Sequence, residues 1–162
     1  AAELSGVPCW ALRRPGWQAG GGDDWREVAD WAALSAALEP FQRPLFTLGR
    51  EPLAHLQAIP LHQHWTVRCL DDYPGTPRAR VIGARGPFNL ADERALFAAG
   101  QFDVLISKNS GSSATEPKLQ VARELGLPVL LLARPPLPAV DRQFSAVEEV
   151  WSALQALPGR LG

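Results

Sequence analysis

Methionine is absent from the chain, which opens Ala1-Ala2-Glu3. Either an N-terminal segment was removed or the chain is a piece of a longer protein; nothing resembling a leader peptide accounts for the difference, and a piece is the expectation. Long apolar runs are missing too. None approaches the roughly 20 residues of a membrane span, and the longest, residues 127–133, reads as a buried strand. Charge of one sign is lacking: the formal net charge is −1, which leaves no overall basic field for nucleic acid or an anionic membrane. Cysteine is scarce. Cys9 and Cys69 lie in apolar, strand-like stretches and read as buried thiols of a reducing, cytoplasmic compartment in preference to a disulfide. His55, His62 and His64 are not spaced with them as metal ligands, which argues against a metal site.

Several catalytic signatures are also wanting. No Gly-Lys-Ser/Thr ending marks a phosphate-binding loop of the Walker type, and no Gly-x-Gly-x-x-Gly is present. No histidine follows a strand beside a nucleophile elbow, and Ser110 has no evident base. Asp71-Asp72 reads as a polar turn and not as a pair of hydrolytic carboxylates.

What remains is the composition of a folded globular protein, 46% hydrophobic and 20% charged over 162 residues. That length suits one domain, or at most two very small ones, with a real core. The first residues resemble a helix end stopped by Gly6, and strands are expected at 7–12, 44–48, 64–70, 80–83, 103–107 and 128–133. Helices are expected after Asp23 or Asp24, where Trp25, Val28, Ala29, Ala32, Leu34, Ala36 and Leu38 form a stripe at helical spacing, and at 51–58, 91–99, 116–125 and 145–157. A Pro-rich connection, residues 134–138, precedes the last of these. Strands alternating with helices imply right-handed βαβ units. The expected fold is a single three-layer, Rossmann-like α/β domain over residues 1–162, with a mostly parallel sheet of five to six strands.

In such a sheet ligands bind beyond the C-terminal ends of the strands. Five of the six expected strands are followed there by a cation: Arg13 and Arg14, Arg50, Arg85, Lys108 and Arg134. A basic rim on a nearly neutral chain suits a polyanion, although scattered surface charge is the plainer alternative. The loop 108–115 joins a strand to a helix with small, hydroxylated residues, so that Lys108, Ser110, Gly111 and the backbone there suit a phosphate or carboxylate. For Ser112, Ser113 and Thr115 taken singly, plain helix capping is the better reading. Arg85-Gly86-Pro87-Phe88 is a second unusual turn, in which Phe88 either staples the following helix or lies against a flat ligand. The tryptophans read mostly as core, Trp17 being the exception suited to line a pocket.

These segments together resemble precorrin-6A reductases. Residues 81–88 resemble that family's Arg-Gly-Pro-Phe segment, and residues 102–111 its Lys-x-Ser-Gly signature, with Thr115, Lys118-Leu119, Ala122-Arg123, Gly126-Leu127-Pro128-Val129 and Arg134-Pro135 in order downstream. Arg14-Pro15-Gly16-Trp17 and Thr47-x-Gly49 match two further short stretches. The resemblance implies the C-terminal half of a two-domain oxidoreductase that uses NADPH to convert precorrin-6A to precorrin-6B in cobalamin biosynthesis. Its substrate would be a tetrapyrrole with many carboxylates, and its partner the N-terminal domain that carries the family's Gly-Gly-Thr-x-Glu nucleotide loop, which this chain lacks. The resemblance makes Lys108 a candidate acid, and Lys108, Ser110, Gly111, Thr47 and Gly49 candidates for the cofactor. Arg85, Gly86, Pro87, Phe88, Ser110, Arg134, Arg14 and Trp17 become candidates for the substrate. A non-catalytic domain that binds a nucleotide or small anion through the 108–115 loop is the alternative from another class.

Overall fold

The computed structural model describes residues 5–136 and 138–158. Residues 1–4 of the expected helix end before Gly6, and Leu137 of the Pro-rich connection, lie outside the described residues. In chain order the elements are β1 (Trp10–Leu12), β2 (Trp25–Val28), α1 (Trp31–Leu38), β3 (Pro44–Thr47), a 3-10 segment (Glu51–Ala58), β4 (Trp65–Cys69) and β5 (Ala79–Gly83). There follow α2 (Leu90–Gly100), β6 (Val104–Lys108), a 3-10 turn (Ser113–Thr115), α3 (Pro117–Leu125), β7 (Val129–Leu132), β8 (Arg142–Phe144) and α4 (Val147–Gln155). They fall into two compact units: one from the stretches up to Gly16 and from Pro135 onward, the other Trp17–Arg134.

The larger unit is a six-stranded, all-parallel sheet in the order β2-β7-β6-β3-β4-β5. Its middle strands are mostly apolar because both of their faces are covered: Val129–Leu132 and the first four residues of β6, Ser107 among them, are all buried. Alternation then sorts the side chains between two layers. Phe46, Val104, Ile106, Leu130 and Leu132 pack with Leu34 and Leu38 of α1. Leu45, Leu105, Val129 and Leu131 pack on the opposite face with Phe97 of α2 and Leu119 and Ala122 of α3.

The region 23–38 departs from the sequence reading. Trp25–Val28 is an edge strand paired with β7, not the first turn of a helix. The helix begins at Trp31, and its cap is Asp30, whose carboxylate accepts the Ala33 N–H at 2.8 Å. Asp23 instead accepts the Gly20 N–H at 2.8 Å and both guanidinium donors of Arg123, tying the glycine loop to α3. The expected strand at 7–12 is shorter and does not join this sheet.

In the smaller unit, β1 pairs in parallel with β8. The Trp10 and Phe144 rings lie 5.4 Å apart, with the Arg142 guanidinium over both. Glu149 of α4 accepts the N–H groups of Ser145 and Ala146, satisfying donors at the helix start. Trp151 is 62% exposed, so this tryptophan is not core.

Candidate functional site

The sheet order reverses at β3. From there the chain runs outward to β4 and β5, and it then returns to β6 on the other side of β3. Connections leaving β3 and β6 diverge, and such a reversal is where an open parallel sheet takes a ligand, at the C-terminal ends of those two strands. Residues 48–50 and 109–112 follow them. Gly49 (φ 74°) and Gly111 (φ 65°) turn the backbone through the left-handed region that a side chain disfavours. Thr47, the last residue of β3, donates its hydroxyl to the Ile106 carbonyl at 2.8 Å, so this group braces the two strands of the reversal. Lys108, the last residue of β6, is exposed, with its Nζ 3.7 Å from Glu51 Oε2 across the same reversal.

The basic rim is present on this edge with a changed membership. Arg50, Arg85, Lys108 and Arg134 follow four of the six strands, whereas β2 is followed by Asp30 and β4 by Asp71 and Asp72. Arg13 and Arg14 follow β1, which belongs to the smaller unit, so they do not count toward this sheet's edge. The Arg50 guanidinium donates to the Tyr73 hydroxyl at 3.2 Å, and Arg85 lies 3.4 Å from Asp71. Both contacts are solvent-exposed and leave the charge available to a ligand.

One residue organises the β6 side. The Asn109 side chain accepts the Trp17 N–H at 2.6 Å and donates to the Trp17 carbonyl at 2.9 Å, while its own carbonyl accepts the Arg134 Nε. This amide thereby gathers Trp17, Lys108 and Arg134. The Trp17 indole packs on the layer formed by α2 and α3. Within the loop the hydroxyls bond to one another: Ser110 Oγ lies 3.3 Å from Thr115 Oγ1 and accepts the Ser112 N–H at 3.3 Å. None of them caps α3, which starts at Pro117 behind Glu116 with no side-chain cap.

The Arg85–Phe88 turn meets this loop. The Gly86–Pro87 peptide is cis, and the Phe88 N–H donates to the Ala114 carbonyl at 3.1 Å. Beneath lies a cluster that the sequence reading missed. Arg68, near the end of β4, is buried and donates to Glu93 in the first turn of α2, itself 2% exposed. Glu93 Oε2 has no hydrogen-bond partner among the described residues. Lys118, in the first turn of α3, is also buried, with its Nζ 6.0 Å from the Trp17 ring centroid. Burial above all, aided by the charge of Arg68 and opposed by Glu93, pushes its pKa down from 10.5 to about 7. An arginine inside an otherwise apolar strand was the available signal, since charges are buried only when paired.

The model of the family described as "Precorrin-6x reductase CbiJ/CobK" matches residues 1–155. The chain is 41% identical over 144 residues to precorrin-6A reductase of Rhodococcus erythropolis, covering 85% of this chain and 56% of that protein. It is 38% identical over 145 residues to precorrin-6A reductase of Rhodobacter capsulatus, covering 87% and 57%. A solved structure titled "CobK precorrin-6A reductase" superposes with a TM-score of 0.82 at 35% identity, over 95% of this chain and 62% of that one. The chain thus spans a little over half the length of these relatives.

Proposed function

The chain belongs to the precorrin-6x reductase family, and from that premise we propose that it forms the substrate-side part of an enzyme reducing precorrin-6A to precorrin-6B. In this reading the chain corresponds to the C-terminal portion of a longer reductase, whose nucleotide loop lies in the portion of the relatives that it does not match. The observation that carries the reading is the cationic edge of the sheet, where Arg50, Arg85, Lys108 and Arg134 follow the C-terminal ends of four strands on a chain of net charge −1. A macrocycle with many carboxylates is the ligand such an edge favours.

The donor set at the reversal also fits the amide end of NADPH: an ammonium (Lys108), a hydroxyl (Ser110) and backbone N–H groups around a left-handed glycine (Gly111). Lys108, Ser110 and Gly111, with Thr47 and Gly49 across the reversal, would hold it. When bound, the nicotinamide supplies the hydride. Arg85 and Arg134 balance substrate carboxylates, and the 85–88 turn forms a wall against one face of the macrocycle. Asn109 keeps Trp17, Lys108 and Arg134 on one side of the crevice. Lys108 Nζ carries a proton that can be delivered to the carbon skeleton as the hydride arrives.

The test joins this chain to the unmatched portion of the Rhodococcus relative and follows NADPH oxidation with precorrin-6A. Turnover that Lys108→Ala and Arg85→Ala each reduce is expected. A folded protein that binds NADPH tightly but no corrinoid would replace this reading with that of a small-anion-binding domain.

A further inference from the structure

Phe88 is held on three sides. The Arg68 guanidinium carbon lies 4.1 Å from the centroid of its ring. A Cβ added at Gly86 would stand 3.4 Å from the ring's edge, so the turn passes close beside it. Its backbone N–H is tied to Ala114, joining the turn to the 108–116 loop. Arg68 in turn has no freedom, being buried in β4 and hydrogen-bonded to Glu93. A flat cation pressed against an aromatic ring fixes the plane of that ring as well as its position; an aliphatic side chain would fix only the position.

The fold itself does not require the pair. A buried ion pair is commonly replaced by apolar side chains of similar volume without loss of stability. Here a buried carboxylate and a buried guanidinium, Glu93 and Arg68, sit against Phe88 next to the exposed 85–87 turn. That arrangement suits a turn that must present one aromatic face outward beside an anionic ligand.

Resting on the reading of residues 85–88 as a wall of the tetrapyrrole site, we propose that Arg68 is a positioning residue. It acts through Phe88, orienting the ring so that the face opposite the guanidinium receives the flat conjugated system of the substrate.

The experiment uses the joined full-length protein and a metal-free corrinoid polycarboxylate as probe, with affinity read by tryptophan quenching and stability by urea unfolding. Arg68→Lys keeps the charge toward Glu93 but loses the flat face, and it should weaken binding about tenfold, as Phe88→Leu should. The double variant should bind no worse than Phe88→Leu alone, because both act through one ring. Should Arg68→Lys unfold the protein, Arg68→Met with Glu93→Leu fills the same volume without charge and should show the same loss of affinity. In turnover, KM should rise more than kcat falls. Wild-type affinity in Arg68→Lys or in the charge-free pair, or effects of Arg68→Lys and Phe88→Leu that multiply, overturns this proposal while leaving the reductase reading in place. Failure of the unmodified protein to bind the probe overturns the tetrapyrrole reading and this proposal with it.

Discussion

Lys118→Met should change how stability depends on pH more than it changes stability at any one pH. Lys118 is 5% exposed and its pKa falls to about 7, from 10.5 when solvated. Between those two values the unfolded chain carries a proton that the folded chain has given up, so stability rises with pH through that interval and is lowest below about 7. Across the whole interval the difference amounts to roughly 5 kcal/mol at about 1.4 kcal/mol per pH unit. From pH 7 to 8.5, with the folded group half protonated at the lower end, it comes to about 1–2 kcal/mol. Cys69 acts in the opposite sense: burial raises its thiol pKa, so the stability it contributes is lost as pH climbs above the ordinary thiol value of 9.0. Keeping below pH 9 and comparing the two proteins removes that contribution. Methionine replaces the lysine stem up to its Cε and has no proton to lose. Urea unfolding at several pH values should therefore give the parent chain a rising stability and the variant a nearly flat one. Parallel curves over pH 7–8.5 would refute the reasoning, because they would place Lys118 in water with an ordinary pKa.

Further outcomes follow from individual contacts. Glu93→Ala leaves Arg68 buried without its carboxylate and should cost about 3–5 kcal/mol, whereas Glu124→Ala, breaking the exposed pair with Arg94, should change stability little; chemical denaturation separates the two. A hydrogen bond from Arg123 holds the Asp23 carboxyl below its usual range, so its stabilisation is present at neutral pH and lost on acidification through that lowered pKa. Asp23→Asn should accordingly destabilise by about 1–2 kcal/mol near pH 7 and converge with the parent in acid. Gly83→Ala places a Cβ 2.5 Å from Asp72 Oδ1 and 2.9 Å from its backbone nitrogen; the 70–73 turn must move, and a lowered Tm with weakened anion binding at the neighbouring Arg85 should be seen. Asn109→Ala removes both side-chain bonds to Trp17 and should shift tryptophan emission and cost about 1–3 kcal/mol.

Much was legible in local sequence because a doubly covered parallel strand carries its own signature. The apolar runs at β3, β6 and β7 needed no partner to be recognised, and the order of strands and helices implied the fold class. The strand-end position of Lys108 and the turn at 85–88 followed from the same alternation. The Trp25–Val28 segment misled because its apolar spacing satisfies a helix; its backbone bonds go to β7, about a hundred residues onward, which no local window contains. Arg68 and Glu93 stand 25 residues apart, with Lys118 on a further helix, and no local window relates the three. Only packing of α2 and α3 on β4 makes them one buried cluster under Phe88. Sequence alone therefore determined the family, the alternation and the edge on which chemistry is expected, since those depend on periodicity and motif order. Tertiary structure decided which strand stands at the sheet's edge, which cations follow the strands of that sheet and what packs beneath the 85–88 turn, since those depend on which distant side chains lose water together.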